Sequence, residues 1–287
     1  MAVSPHTALI DAESLRAMLA SGAPLVIVDA GFDLADPASG ETAHGAAHLP
    51  GAPYAHLERD LSSVPTGRNG RHPLPLRADF AATAGRLGIA PSTQVVVYDR
   101  QQSMFAARLW WMLRWLGHAP VAVLDGGFAA WQAMGGAVES GPVTPHAQPA
   151  YPIGSAPSPL APTIDAAALQ TQLGRLALID ARAPERFRGD VEPLDARAGH
   201  IPGACNRFFK DNLAADGRFK AADVLGAEFT TLLQTQPAGA VVHQCGSGVT
   251  ACHNLLAMAV AGLDGAALYP GSWSEWSADP TRPIARG

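Results

Sequence analysis

Residues 238–259 read AGAVVHQCGSGVTACHNLLAMA, and this stretch changes character twice. It begins with an apolar run, continues through a turn with two glycines, and ends in a leucine and alanine pattern typical of a helix. The continuous apolar run predicts a strand, Ala240–Gln244, that is buried on both faces of a sheet. The stretch therefore predicts a buried strand, a tight turn that holds Cys245, and a helix that begins near Thr250.

Short apolar runs alternate with helical patterns along the rest of the chain. A second continuous run, Val95–Tyr98, predicts another buried strand. Helices are predicted over residues 14–20, 80–87, 106–116 and 165–173. This alternation indicates an α/β fold with a mainly parallel sheet flanked by helices. In such a sheet, ligands bind beyond the carboxyl ends of the strands, which is where we expect Cys245.

Four segments of the first half return in the same order in the second half. The pairs are Leu25–Ala30 with Leu176–Ala181, His48–Ala52 with His200–Ala204, Val95–Asp99 with Val241–Cys245, and Asp125–Phe128 with Pro270–Trp273. Their offsets of 151, 152, 146 and 145 residues are nearly constant. Ordered matches at one offset predict two tandem domains that share a fold.

The predicted junction between the repeats is rich in proline and alanine. Residues 141–162 read GPVTPHAQPAYPIGSAPSPLAP, a composition that favours extended backbone. We therefore predict a first domain over residues 1–140, a linker over 141–161 and a second domain over 162–287.

Composition excludes several classes of protein. The net charge of −5 gives no reason to expect nucleic acid or an anionic membrane as a partner. No apolar run reaches the roughly 18 residues that cross a bilayer, and the N-terminus lacks the basic and apolar regions of a secretory signal. Cys205, Cys245 and Cys252 are odd in number and make no disulfide framework, so a reducing, cytoplasmic setting is expected.

The turn around Cys245 has the composition of an anion-binding site. Gly246 and Gly248 let the backbone curl, so that successive N–H groups can point to one place. The first N–H groups of the following helix have no partner inside the helix. A cysteine at such a position is stabilised as the thiolate, which is the nucleophilic form. We predict that Cys245 is a nucleophile and that its turn holds the anion that the sulfur becomes.

The cysteines also allow other interpretations. A buried cysteine is commonly an inert hydrophobic residue, the interpretation that we favour for Cys205 and Cys252. A zinc site formed by His243, Cys245, Cys252 and His253 is another interpretation. The two cysteines do not have the spacing of zinc ligands and there is no second cysteine pair, so no metal site is predicted. A cysteine phosphatase also places a thiolate before a helix, but it needs an arginine where this chain has Ala251.

These motifs together resemble the two-domain rhodanese family. The resemblance rests on the tandem repeat, on His-[Leu/Ile]-Pro-Gly-Ala in both halves, on GSWSEW at 271–276 and on CGSGVTA at 245–251. The last motif is similar to that of the 3-mercaptopyruvate sulfurtransferases. In the family the second domain carries the cysteine and the first is an inactive copy. This chain agrees, because Asp99 stands in the first repeat where Cys245 stands in the second.

The resemblance implies a sulfurtransferase with two rhodanese-like domains. Cys245 would take a sulfur atom from 3-mercaptopyruvate or thiosulfate as a persulfide and pass it to an acceptor, without a cofactor. The acceptor would be cyanide, a low-molecular-weight thiol or a thioredoxin-like protein. One alternative is a persulfide carrier or sensor that delivers sulfur to a protein partner, and a less favoured one is a cysteine phosphatase.

The resemblance also implies which residues bind the donor. An Arg-[Phe/Tyr]-x-Gly pattern selects Arg186 for the donor anion, with Arg188 as the second choice. The family's mercaptopyruvate enzymes have another arginine shortly after Glu-Pro, whereas here Leu194 follows that dipeptide and the next arginine is Arg197.

The loop itself is expected to contact the donor and the persulfide. Ser247 is expected to donate a hydrogen bond to the donor's carbonyl or to the enolate that forms from it. The remaining predicted contacts are backbone amides, at Gly246, Gly248, Val249 and Thr250.

Two histidines of the first repeat are further candidates for substrate binding. His72 lies in the segment Arg71–Pro75, which resembles a first-domain loop that faces the donor site. His48 precedes a Pro-Gly turn, as His200 does in the second repeat. A ring that bonds the backbone to hold that turn is the alternative role for His48 and His200.

Overall fold

The computed structural model describes residues 5–154 and 160–287, and these form two compact units. Of the described residues, the first unit contains 5–62, 75–154 and 216–218. The second contains 63–74, 160–215 and 219–287. Residues 63–74 belong to the first repeat in sequence but are part of the second unit in space.

The first unit is a four-stranded sheet with helices. Its elements are β1 (Leu9–Ile10), α1 (Ala12–Ser21), β2 (Leu25–Asp29), α2 (Ser39–Ala46), α3 (Leu57–Asp60), α4 (Arg77–Arg86), β3 (Gln94–Tyr98), α5 (Ala106–Leu116), β4 (Val121–Leu124) and α6 (Gly127–Ala133). The strand order is β1-β4-β3-β2, and every pairing is parallel.

The second unit repeats this plan. Its elements are α7 (Ala166–Thr171), β5 (Ala177–Asp180), α8 (Pro184–Arg188), β6 (Cys205–Asn206), α9 (Ala222–Leu233), β7 (Val241–Gln244), α10 (Ala251–Val260), β8 (Ala267–Leu268) and α11 (Ser272–Ala278). The strand order is β6-β5-β7-β8, again with every pairing parallel. The predicted fold, two α/β domains with parallel sheets, is confirmed.

The two units begin their first helices in the same way. The side chain of Asp11 accepts a hydrogen bond from the N–H of Ser14, 2.8 Å away, and so caps α1. Asp165 caps α7 through the N–H of Ala168, also at 2.8 Å. An aspartate at this position satisfies an N–H group that has no partner inside the helix. The repeat is therefore visible in local structure as well as in topology.

Burial explains why the central strands read as continuous apolar runs. All five residues of β3 and all four residues of β7 are buried. In the second unit the core includes Val242 together with Trp273 and Trp276, both of which are fully buried. Burial of large aromatic side chains on this scale is a main source of stability for a domain of this size.

The register of the second sheet places two functional segments side by side. Asp180 at the end of β5 pairs with Gln244 at the end of β7. Because the strands are parallel, the residues that follow them leave the same edge of the sheet. Cys245 follows β7 directly, and the arginine-bearing helix α8 follows β5, so both lie at the carboxyl edge.

The structure differs from the predictions at several element ends. The predicted strand at Ala240 begins one residue later, because a 3₁₀ turn over Ala238–Ala240 closes with a bond from the N–H of Ala240 to the carbonyl of Pro237. Helix α4 begins at Arg77, three residues before the predicted start, and α7 ends at Thr171, two residues before the predicted end. Helix α5 has the predicted bounds.

The predicted linker over 141–161 is described only in part, because residues 155–159 lie outside the described residues. Residues 141–154 contain no helix or strand. They pack along α4, where the N–H of Gln148 donates to Gly85 and the N–H of Tyr151 donates to Ala81. The predicted boundaries of the domains stay a prediction. In the described ranges, no helix is both long and apolar enough to cross a membrane.

Candidate active site

The loop after β7 is anchored on the start of α11. The N–H of Cys245 donates to the hydroxyl of Ser272 at 3.1 Å, and the carbonyl of Cys245 accepts from the N–H of Trp273 at 3.0 Å. The carbonyl of Gly246 accepts from the N–H of Ser274 at 2.9 Å. These three bonds fix the backbone on which the cysteine stands.

Gly248 is required by the conformation of this loop. Its φ is +76°, and a Cβ at this position would lie 2.3 Å from the carbonyl oxygen of Pro270. A side chain is therefore excluded both by the left-handed backbone and by the close approach of another chain segment. The tight turn predicted from the sequence depends on this residue.

The sulfur of Cys245 lies inside the turn. The residue is 2% exposed, and its Sγ accepts a hydrogen bond from the N–H of Gly248 at 3.2 Å. Within the described residues, the N–H groups of Gly246, Ser247, Val249 and Thr250 donate to no carbonyl or side chain. Unpaired amides at the start of a ten-residue helix are suited to holding an anion. The loop has the donors needed to stabilise a negatively charged sulfur.

The corresponding loop of the first unit already holds an anion of its own. Asp99 is buried, and its carboxylate accepts four backbone N–H bonds at 2.8–2.9 Å, from Gln101, Ser103, Phe105 and Ala106. Burial raises the pKa of Asp99 above its ordinary value, and the four amide donors act in the opposite direction. The loop after the third strand of a unit can therefore offer several backbone N–H groups to one anion. In the first unit that anion is the carboxylate of Asp99.

His72 and Ser247 meet beside the Cys245 loop. The Nδ1 atom of His72 lies 2.8 Å from the Oγ atom of Ser247, and both residues are buried. His72 belongs to the 63–74 segment, which is part of the second unit. The structure thus brings together two residues that the sequence singled out separately.

Arginines and carboxylates form a network next to Gly246. Nη2 of Arg186 donates to Glu192 at 2.6 Å and to Asp195 at 3.1 Å. Asp195 also accepts from Nη1 of Arg71. Burial raises the pKa of Asp195 above its ordinary value, while the charge of Arg71 and its hydrogen bond oppose this rise. Arg182 has a structural role, because it donates to Asp180 and its guanidinium group stacks on the ring of Trp273.

Three of the basic candidates have other partners than the members of this network. Arg188 is half-exposed and pairs with Asp190 at 2.8 Å. Arg197 donates to carbonyl groups at the end of α11, including that of Ser277 at 2.8 Å. His48 lies in the first unit, where its Nδ1 bonds the carbonyl of His44 at 2.8 Å. Their proposed contacts with a donor stay predictions.

Sequence reasoning did not single out three residues that the structure places at the site. They are Arg71, Asp195 and Ser272. The sequence offered a reason to consider Arg71, because it directly precedes the candidate His72. It offered no such reason for Asp195. Ser272 has a left-handed φ of +54°, and its hydroxyl donates to Tyr269 while it accepts from Cys245. Strain of this kind in a non-glycine residue is typical of functional sites.

No cluster of three or more metal-ligating side chains is found among the residues that the structure describes. His243, which precedes the loop, bonds the sulfur of Met258 at 2.9 Å in the core. His253 is buried in α10, with its ring stacked on that of Phe219. Both histidines therefore have packing roles.

Comparison with known proteins gives consistent matches over nearly the whole chain. A family model described as the rhodanese-like domain matches residues 11–134 and 165–279. A curated relative from Pseudomonas aeruginosa, named a probable 3-mercaptopyruvate sulfurtransferase, is 49% identical over 283 residues, which cover 97% of this chain and 98% of the relative. A putative thiosulfate sulfurtransferase from Mycobacterium tuberculosis is 44% identical, with 97% of each chain covered.

A solved structure shares the fold. It is a 3-mercaptopyruvate sulfurtransferase from Leishmania major, which superposes with a TM-score of 0.83 at 31% identity. The match covers 96% of this chain and 76% of that one.

Proposed function

This chain belongs to the rhodanese family and is a sulfurtransferase, and we propose that it moves sulfur from 3-mercaptopyruvate through a persulfide on Cys245. The observation that carries the proposal is the position of the Cys245 sulfur, inside a turn of unpaired amides at the start of α10. A sulfur donor and a sulfur acceptor are its substrates. The relatives named above act, by their names, on 3-mercaptopyruvate or on thiosulfate.

The first half-reaction transfers a sulfur atom to the enzyme. The Cys245 thiolate attacks the thiol sulfur of 3-mercaptopyruvate, the bond from that sulfur to carbon breaks, and its electron pair passes to the enolate of pyruvate. The thiol proton then moves from the persulfide to the enolate carbon, which gives pyruvate and a persulfide anion. The amides of the turn stabilise this anion by dipoles that are already oriented.

The second half-reaction returns the cysteine to its first state. An acceptor thiol attacks the outer sulfur, the bond between the two sulfur atoms breaks, and Cys245 leaves as the thiolate. The acceptor carries the sulfur away as its own persulfide. A low-molecular-weight thiol or a thioredoxin-like protein is the proposed acceptor, and this order of steps predicts ping-pong kinetics.

Ser247 and His72 support the assignment of a donor with a carbonyl group. The hydroxyl of Ser247 can donate to the enolate oxygen that develops as sulfur leaves, and His72 holds this hydroxyl in place at 2.8 Å. Thiosulfate has no carbonyl and forms no enolate. The loop residues after Cys245 are also neutral, whereas a dianion such as thiosulfate is better matched by a basic loop.

The function is tested by turnover with each donor in the wild type and in Cys245→Ser. We expect activity with 3-mercaptopyruvate and a loss of about 10³-fold or more in the variant, because the covalent intermediate cannot form. Cys252→Ser is the matched control, and its turnover should be close to that of the wild type. A persulfide carrier would instead be slow with small acceptors such as cyanide and fast only with its protein partner.

A further inference from the structure

Ser272 begins α11 in a backbone conformation that serine adopts only with strain. Its φ is +54°, in the left-handed region, where a Cβ lies too close to the following carbonyl oxygen. The residue is also fully buried, so its hydroxyl has to find its partners inside the protein. Strain of this kind persists only where the contacts of the residue offset it.

The first unit shows that glycine can occupy the corresponding position. Gly127 begins α6 as Ser272 begins α11, and the two residues are aligned in the repeat that pairs Asp125–Phe128 with Pro270–Trp273. The φ of Gly127 is +56°, nearly the same as that of Ser272. Glycine adopts this conformation without strain, so the fold of the turn does not require a serine.

The two turns are closed by the same backbone bond but differ in the space beside it. The carbonyl of Asp99 and the carbonyl of Cys245 each accept a bond from the N–H of the helix's second residue, at 3.0 Å. A Cβ at Gly127 would lie 2.4 Å from the carbonyl oxygen of Asp99, so no side chain fits there. In the second unit the side chain of Ser272 is accommodated next to Cys245.

The hydroxyl of Ser272 completes the support of Cys245. It accepts a hydrogen bond from the N–H of Cys245 at 3.1 Å and donates one to the carbonyl of Tyr269 at 2.9 Å. The N–H and the carbonyl of Cys245 are therefore both held by the start of α11. This fixes the direction of the side chain, whose Sγ lies 3.2 Å from the N–H of Gly248. Because an N–H group stabilises a charged sulfur only at short range, the thiolate depends on this orientation.

We propose that Ser272 is a positioning residue for sulfur transfer, whose hydroxyl holds Cys245 so that the sulfur stays among the amides of its turn. The two hydrogen bonds of the hydroxyl offset the strain of the left-handed backbone. Ser272 acts through the backbone of Cys245 and not through contact with the donor. This inference rests on the proposed function, since it concerns the nucleophile of that reaction.

Two substitutions test the hydroxyl without turnover. Ser272→Ala removes the hydroxyl and keeps the strained Cβ, whereas Ser272→Gly removes both and matches the first unit. The ultraviolet absorbance of the Cys245 thiolate is followed against pH, as the difference from the same protein with Cys245→Ser added. We expect the midpoint of thiolate formation to rise by about one pH unit in both variants, because the sulfur is no longer held among the amides. The control is Ser277→Ala, since the buried hydroxyl of Ser277 bonds no group of the described residues, and its midpoint should equal that of the wild type.

Thermal unfolding tests the strain separately. Ser272→Gly should have a higher Tm than Ser272→Ala, by a few degrees, because glycine relieves the left-handed conformation while both variants lack the hydroxyl. A Tm for Ser272→Gly that is equal to or below that of Ser272→Ala would overturn the strain that the proposal assumes.

Kinetics separate failure of the positioning role from failure of the proposed function. Both Ser272 variants should lower kcat with 3-mercaptopyruvate about 10-fold and leave KM nearly unchanged, because the contacts with the donor are intact. A folded Ser272→Gly protein with the midpoint and kcat of the wild type would overturn the positioning role and leave the function standing. If the midpoint depends on Ser272 but the wild type turns over no donor, the positioning role stands and the proposed reaction fails.

Discussion

The Nδ1 atom of His72 and the Oγ atom of Ser247 lie 2.8 Å apart, although 175 positions separate these residues in the sequence. Both are buried next to the Cys245 loop. A hydroxyl held in this way is oriented before a donor arrives, so it needs no rearrangement during the reaction. Its effect should depend on whether the donor has a carbonyl group.

Ser247→Ala is therefore expected to separate the two donors. For 3-mercaptopyruvate, kcat should fall about 10²-fold, since one donor to the developing enolate is lost. For thiosulfate the change should be small, because no enolate forms. Steady-state rates with both donors check this. His72→Asn should follow the same pattern more weakly, and equal losses with both donors would show that Ser247 only maintains the loop.

Asp195→Asn should shift the preference of the site toward dianions. The change removes one negative charge between Arg71 and Arg186, so the site gains positive charge while keeping an oxygen acceptor. We expect the ratio of kcat/KM for thiosulfate to that for 3-mercaptopyruvate to rise, and the rise to diminish at high salt. Asp190→Asn, in an exposed pair, is the control. A ratio that stays constant would mean that Asp195 does not set the charge of the donor site.

Asp99→Asn should destabilise the first unit. Each carboxylate oxygen of Asp99 accepts two amide bonds, and an amide side chain would place an NH₂ group against two of those donors. We expect a loss of about 2–4 kcal/mol in the free energy of unfolding. Urea denaturation measures it, with the exposed Asp33→Asn as control. If the loss is no greater than that of Asp33→Asn, the loop after β3 does not require an anion.

Acid should destabilise the second unit through His243. Burial lowers the pKa of this ring to about 3, below the ordinary value of 6.5, so the folded protein keeps it neutral. The contribution of the neutral His243 ring to the free energy of unfolding is complete above pH 6.5. It is lost as the pH falls from there toward 3, because only the unfolded chain takes up the proton. Between pH 7 and 5 the loss from this one group is about 2 kcal/mol.

His243→Gln provides the comparison. The variant should lose stability at neutral pH if packing is disturbed, but its decrease from pH 7 to 5 should be smaller than that of the wild type by the same amount. Urea denaturation at the two pH values gives both numbers. An identical decrease in the two proteins would show that His243 is already charged, or already exposed, in the folded state.

The fold could be predicted because its signals are local or repeated. Strands β3 and β7 are buried on both faces, so they read as unbroken apolar runs. The repeat then extended this interpretation from one half of the chain to the other. The ends of elements were less predictable, because contacts beyond the local pattern decide them. At Ala240, for example, a turn closed by Pro237 replaces the first residue of the predicted strand.

The site could be predicted only where one segment carries it. Residues 245–250 contain the cysteine, the glycines and the hydroxyl of Ser247 in one turn, so their chemistry can be predicted from the sequence. The pair of Arg71 and Asp195 is 124 positions apart and exists only because residues 63–74 pack in the second unit. Neither periodicity nor composition reports such a contact. The same packing brings His72 to Ser247, a partner that the sequence does not indicate.

The persulfide on Cys245 is the claim on which the account depends, and intact-protein mass spectrometry tests it most directly. The purified protein is treated with 3-mercaptopyruvate in the absence of an acceptor, and peptides are then mapped. We predict a gain equal to the mass of one sulfur atom, located on the peptide that contains Cys245 and removed by an added thiol. No gain on that peptide, or the same gain in Cys245→Ser, would contradict the account.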